Sequence, residues 1–118
     1  MRRLAVAALV LVAGAAPAGA AAPPPARLQV AAKEFSLTLS RAKLKPGWAI
    51  VEFANYGEDP HDLRLRRIGG TVTRSIPLVQ AGDQRSLRLK LLPGRYKLWC
   101  SLAGHAARGM RAQLIVSR

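Results

Sequence analysis

The chain is short and strongly basic: its 118 residues include 19 Lys and Arg against six Asp and Glu, a formal net charge of +13. This length fits one small domain, and the single cysteine excludes an intramolecular disulfide and any two-cysteine zinc or redox motif. Half of the residues are hydrophobic, which excludes wholesale disorder. Taken alone, the charge would favour a nucleic-acid-binding protein.

The N-terminus has the pattern of a secretory signal peptide, predicted over residues 1–20. Arg2 and Arg3 precede an apolar run over 4–12, and a stretch of small residues follows up to Ala20. Export signals share this order of basic, apolar and A-x-A-like regions. A retained membrane anchor is the alternative, because the apolar stretch nearly reaches the ~20 residues that a spanning helix needs. We expect an exported protein, periplasmic or extracellular, for which a nucleic-acid partner is disfavoured.

Cleavage after Ala20 would remove 20 of the 118 residues and two of the 19 cations, which leaves 98 residues with a net charge of +11. A proline-rich linker is predicted over 21–26, since Pro23, Pro24 and Pro25 favour a stiff extended chain. One domain is predicted over 27–118.

From residue 27 onward the apolar residues recur with a period of two, as in Phe35, Leu37 and Leu39. Turn residues such as Pro46-Gly47 and Pro93-Gly94 separate these runs. The pattern predicts seven or eight short strands and an all-β sandwich of the Greek-key type. The strands are expected near 27–32, 35–40, 49–55, 61–67, 76–79, 85–91, 94–100 and 112–117. No stretch shows a helical period.

The alternation also explains much of the basic charge. Cations occupy outward positions of the predicted strands, where they keep sheet edges soluble and discourage pairing between sheets. The alternative is that they recognise an acidic partner, and the two roles are compatible. The residues concerned are Arg64, Arg66, Arg88, Lys90, Arg95 and Lys97.

The side chains with metal-binding chemistry are few. One inter-strand loop holds Cys100, His105 and Met110, and His61 opens another strand. A thiolate and two imidazoles with a weak axial thioether form the blue-copper electron-transfer site. Each residue alone has a structural explanation, such as a buried free cysteine or a core methionine. Because both histidines, the one cysteine and the one internal methionine fall in this set, we predict a single type 1 copper ion, Cu(I)/Cu(II).

The sequence resembles the cupredoxins, the family of plastocyanin and azurin. Three segments carry the resemblance: Ala32-Lys33-Glu34-Phe35-Ser36, Asn55-x-Gly57-x-x-Pro60-His61 and Gly94-x-Tyr96-x-x-x-Cys100-x-x-x-Gly104-His105-x-x-x-Gly109-Met110. The resemblance implies a cupredoxin-like sandwich and the copper ligands His61, Cys100, His105 and Met110.

Three further roles follow from the same resemblance. Tyr96 matches the tyrosine-corner position, which stabilises the fold. Trp99 matches an aromatic residue that serves partner docking in plastocyanin, and its alternation points it outward; an aromatic side chain that is merely exposed is the alternative. Asp62 departs from the pattern, because plastocyanin and azurin have Asn after the first histidine. Ser101 is its expected hydrogen-bond partner, and such contacts tune metal sites.

The leading functional hypothesis is a monomeric one-electron carrier between redox partners. Arg108 and Arg111 flank His105 and favour an acidic partner, such as a haem or copper protein or a membrane oxidase. The alternative is a periplasmic copper-binding protein for copper delivery, storage or resistance. Such proteins tend towards methionine- and histidine-rich sites, and no spare residue of either type exists here. An enzyme is not expected, because a catalytic copper centre needs further histidines and an open coordination position.

Overall fold

The computed structural model describes residues 4–14 and 22–118. Residues 4–14 form neither helix nor strand and are exposed, and the predicted cleavage point after Ala20 lies outside the described residues. Within the two described ranges, no helix is long and apolar enough to cross a membrane. The signal, linker and domain boundaries therefore stay predictions, although the first strand begins at Ala26, one residue before the predicted domain start.

The described part of the chain contains nine strands and one short helix. Each of the eight predicted strands overlaps an observed one, and the predicted β-sandwich is confirmed. Two elements were not predicted, β3 and α1, because segments of two and four residues are too short to show a period. The elements are β1 (Ala26–Lys33), β2 (Ser36–Leu39), β3 (Lys43–Leu44), β4 (Gly47–Asn55), β5 (His61–Arg67), β6 (Thr73–Val79), β7 (Gln84–Leu91), β8 (Gly94–Trp99), α1 (His105–Arg108) and β9 (Arg111–Val116).

The strands form two sheets that face each other. One has the order β2-β1-β4-β7 and the other the order β3-β9-β8-β5-β6. Two pairs are parallel, β1 with β4 and β3 with β9, and the remaining pairs are antiparallel. In the parallel pair β1 and β4, Ala32 lies opposite Asn55. This register brings the turn after β1 next to the loop after β4, which matters for the site below.

The core lies between the sheets and is built by the two-residue alternation. Inward positions such as Val30, Phe53, Leu98 and Leu114 are completely buried, whereas the outward cations between them are exposed or half-buried. Burying a side chain of this size stabilises the fold by about 1.5–3 kcal/mol each. The hydroxyl of Tyr96 accepts the backbone N–H of Leu92 at 2.9 Å, the contact expected of a tyrosine corner. The two packed sheets therefore provide a rigid frame for the loops at their ends.

Candidate metal centre

The structure brings three of the four predicted ligands together at one end of the sandwich. Nδ1 of His61 lies 3.2 Å from Nδ1 of His105, and Sγ of Cys100 lies 3.6 Å from the same His105 nitrogen. One ligand atom from each of the three residues lies within 4.8 Å of the others. The side chains of His61 and Cys100 are completely buried, and His105 is half-buried. The arrangement is a compact donor set in which two residues are completely buried and His105 is half-buried.

Adjacent strands position these side chains. His61 is the first residue of β5, Cys100 follows the last residue of β8, and these two strands are neighbours in the five-stranded sheet. The loop from Cys100 to Met110 closes on itself, because the Cys100 N–H donates to the Met110 carbonyl and the Met110 N–H to the His105 carbonyl, both at 3.1 Å. The predicted ligands are thus held by strand ends and by a hydrogen-bonded loop.

Two glycines allow this loop to turn. Gly104 has φ +79° and Gly109 has φ +128°, in the left-handed region that favours glycine over other residues. A Cβ at position 109 would also lie 2.7 Å from the Phe35 carbonyl oxygen. These requirements explain why glycine precedes both His105 and Met110 in the sequence motif.

The predicted axial residue, Met110, is completely buried in the same region. It belongs to the hydrophobic core together with Cys100, and its backbone pairs with Cys100 as described above. A thioether in an apolar wall suits a weak axial contact, because it brings no charge and needs no hydrogen bond. Its role as a ligand stays a prediction that follows from this placement.

Asp62 supports the loop from the neighbouring strand. Its Oδ1 accepts the Ser101 N–H at 2.6 Å, and its Oδ2 accepts the Ser101 hydroxyl. Ser101 directly follows Cys100, so the carboxylate fixes the backbone beside the thiol. Asp62 is only 8% exposed, and the Arg64 guanidinium lies 3.9 Å away. The expected pairing with Ser101 is present in the structure.

The turn after β1 contacts both histidines, and no motif in the sequence predicted these contacts. Oε1 of Glu34 lies 2.8 Å from Nε2 of His61, and the Phe35 ring packs edge-to-face on the His105 ring with centroids 5.1 Å apart. The Arg108 guanidinium covers the Phe35 ring at 4.8 Å. No local pattern reveals these contacts, because they depend on the pairing of β1 with the distant strand β4.

Hydrogen bonds keep the Glu34 carboxylate ionised. They lower the pKa of Glu34 from an ordinary 4.5 to about 2. The hydrogen bond from the backbone N–H of Asp59 is the main cause, and the hydrogen bonds from the backbone N–H of Glu58 and from the His61 ring add to the effect. The thiol shifts the other way: burial raises the pKa of Cys100. A buried thiol must lose its proton when a metal binds, so metal uptake here is coupled to proton release.

The spacing of the donor atoms fits a single metal ion. In a trigonal centre with metal–nitrogen bonds of about 2.0 Å and a metal–sulfur bond of about 2.3 Å, the nitrogens lie about 3.5 Å apart and nitrogen and sulfur about 3.7 Å apart. The observed 3.2 and 3.6 Å are close to these separations. Two imidazoles, one thiolate and a thioether are the donors typical of type 1 copper. The residues present therefore fit one type 1 copper ion.

The surface around His105 is small and apolar. Ala103 and Ala107 are exposed, and Leu102 and Ala106 are half-buried. Trp99 alternates with the buried Leu98 and Cys100 and so lies on the outward side of β8, as predicted, where it is half-buried with the Lys97 ammonium 5.0 Å from its ring centroid. It lines a shallow groove with Ala106 and neighbouring residues of β8 and β9.

Comparisons with known proteins concern the fold. No protein-family model matches the sequence, and no characterised protein matches it by sequence. The structure is similar to dithionite-reduced auracyanin from the photosynthetic bacterium Roseiflexus castenholzii, with a TM-score of 0.65 and 15% identity over 81% of this chain and 100% of that chain. It is also similar to a purple cupredoxin from Nitrosopumilus maritimus, with a TM-score of 0.54 and 22% identity over 75% and 98% of the two chains.

The fold also occurs inside a larger protein: a multicopper oxidase has a TM-score of 0.56 and 18% identity, and the match spans 77% of this chain but only 41% of that one. By contrast, the match with auracyanin spans the whole of that chain. The chain described here therefore has the cupredoxin fold, which its sequence motifs predicted.

Proposed function

We propose that this chain is an exported electron carrier that holds one type 1 copper ion through His61, Cys100, His105 and Met110. The observation that carries the proposal is the convergence of Cys100 Sγ with one imidazole nitrogen from each of His61 and His105, all within 4.8 Å of one another. When bound, copper supplies a one-electron couple between Cu(I) and Cu(II). The protein's part is to bind the ion, exclude water from it and keep its ligands in place.

Rigidity favours electron transfer over metal exchange. Three of the four proposed ligands are completely buried, and the loop that carries three of them is closed by backbone hydrogen bonds. A site whose ligands are fixed by packing needs little rearrangement when the charge of the ion changes. The same closure opposes copper release, so a delivery protein is the weaker candidate.

The half-buried His105 is the proposed exit for the electron. It is the proposed ligand nearest to the solvent, and the exposed Ala103 and Ala107 beside it leave room for a partner to approach closely. Arg108 and Arg111 are exposed nearby, and the chain as a whole carries a charge of +13. Complementary charge accelerates encounter with an acidic partner, so we propose an acidic redox protein as the partner.

A catalytic copper centre is not part of the proposal. The sequence contains two histidines, and both belong to the proposed ligand set. An additional copper centre of an oxidase or reductase would need further histidines, which a single chain does not have.

Absorption spectroscopy with metal analysis tests the proposal. The purified protein should bind one Cu(II) and show an intense visible band from the thiolate-to-copper transition. Cys100→Ala should lose this band, whereas Gln113→Ala, an exposed control on β9, should keep it. Reduction and reoxidation should leave the copper in place when a chelator is present. A colourless protein that binds only Cu(I) and yields it to the chelator would favour copper delivery instead.

A further inference from the structure

We propose that Glu34 is the positioning residue of this centre, which fixes both the orientation and the tautomer of His61. The proposal deepens the proposed function, and only its copper readouts rest on that function. The carboxylate reaches from the turn between β1 and β2 to Nε2 of His61 at 2.8 Å. Glu34 precedes His61 by 27 positions in the chain. Among the described residues, its carboxylate forms hydrogen bonds with Glu58, Asp59 and His61 but not with Cys100 or His105.

The hydrogen-bond pattern determines where the imidazole proton lies. Besides His61 Nε2, the Glu34 carboxylate faces the backbone N–H of Glu58 at 3.0 and 3.1 Å and that of Asp59 at 2.8 Å. An ionised carboxylate can only accept hydrogen bonds, so Nε2 of His61 must carry a proton. In a neutral imidazole the lone pair then lies on Nδ1. This is the ring atom that faces His105 at 3.2 Å.

Because the His61 ring is buried, its tautomer depends on the Glu34 carboxylate. His61 is completely buried, so bulk water cannot orient its ring. The Glu34 carboxylate is tied at the same time to the loop before His61, and the Tyr56 N–H donates to the Ala32 carbonyl at 2.9 Å. Hydrogen bonds therefore join the turn to the loop, and the carboxylate sets the position of the His61 ring between them.

Gly57 provides independent support, because its missing side chain makes room for this carboxylate. A Cβ at position 57 would lie 2.6 Å from Oε2 and 2.8 Å from Cδ of Glu34. No left-handed backbone conformation requires glycine there, so the available space explains the residue. An alanine would displace the end of the Glu34 side chain rather than the backbone, and Gly57→Ala is therefore a second way to remove the contact.

The test compares Glu34→Ala, Glu34→Gln and Gly57→Ala with the wild type, and uses Glu58→Gln as the control. Glu58 has an exposed side chain on the same loop, so its variant removes the same charge without removing the contact to His61. The first readout needs no metal: ¹⁵N NMR of the histidine rings reports which nitrogen carries the proton. Wild type, Glu34→Gln and Glu58→Gln should show His61 protonated at Nε2 alone, and Glu34→Ala and Gly57→Ala should show a mixture of tautomers.

The second readout uses copper. Loss of a carboxylate partner of a ligating histidine lowers metal affinity by about 10–100-fold, which we expect for Glu34→Ala and Gly57→Ala. The Glu34 carboxylate makes the His61 imidazole a stronger electron-pair donor to the metal, which favours the oxidised ion. Glu34→Gln should therefore raise the reduction potential more than Glu58→Gln does. If Glu34→Ala does not fold, Glu34→Gln and Gly57→Ala still provide the comparison.

The proposal is overturned if Glu34→Ala or Gly57→Ala keeps the wild-type tautomer of His61. It is also overturned if Glu58→Gln changes the potential as much as Glu34→Gln. A wild-type protein that binds no copper would refute the proposed function, whereas the metal-free NMR result would still decide the role of Glu34.

Discussion

Replacement of Asp62 by alanine tests how the loop beside Cys100 is held. The change removes the acceptor of the Ser101 N–H at 2.6 Å and of the Ser101 hydroxyl. Ser101 is exposed, so water can replace the partner of its hydroxyl, and the backbone N–H accounts for most of the cost. A hydrogen bond to a charged acceptor contributes about 1.5–3 kcal/mol. At about 5 °C per kcal/mol for a domain of this size, the melting temperature should fall by about 8–15 °C.

Thermal and urea unfolding of the copper-free protein measure this effect without any contribution from metal binding. Asp62→Asn is the matched variant, because its amide oxygen can still accept the Ser101 N–H while its amide nitrogen donates to the hydroxyl oxygen. Asp62→Asn should cost less than about 1 kcal/mol. The explanation is refuted if Asp62→Ala melts at the wild-type temperature, or if the asparagine variant is destabilised as much as the alanine variant.

Four further predictions concern stability and the site. Phe53→Ala removes a completely buried ring and should lower the free energy of unfolding by about 3–5 kcal/mol in urea titrations. Tyr96→Phe loses the hydrogen bond to Leu92 and should cost about 1 kcal/mol without changing the visible spectrum of the copper-loaded protein. The pKa of Glu34 is about 2 in the folded protein against an ordinary 4.5, so the ionised carboxylate stabilises the fold above pH 4.5. The difference in the free energy of unfolding between the wild type and Glu34→Gln should therefore shrink as the pH falls from 4.5 towards 2. Met110→Leu should keep the colour and raise the reduction potential, measured by voltammetry, because a sulfur donor to the oxidised ion is lost; an unchanged potential would mean that Met110 is not axial.

The sequence predicted the sheet architecture because alternation is a local signal. Leu37, Leu39, Leu87 and Leu89 repeat with a period of two, and the strands form where these repeats occur. The placement of Cys100 beside the two histidines was also predictable, since so few residues of the sequence have metal-binding chemistry. The structure adds the distances and the burial that make them a donor set.

The contacts of Glu34 and Phe35 were not predictable from local patterns. They arise because β1 pairs in parallel with β4 and sets Ala32 opposite Asn55, which brings a turn and a loop together from distant parts of the chain. The half-buried position of Trp99 has a similar cause, because α1 lies within the loop from Cys100 to Met110 and places Ala106 beside the same groove. Alternation along β8 predicts only the side of the sheet, not what covers it.

X-ray absorption at the copper edge of the loaded wild-type protein tests the central claim most directly. The account predicts one short copper–sulfur distance together with two imidazole nitrogens, and loss of the short sulfur contribution in Cys100→Ala. A spectrum of nitrogen and oxygen neighbours alone, or one unchanged by Cys100→Ala, would contradict the assignment of His61, Cys100 and His105 as the ligands of one copper ion.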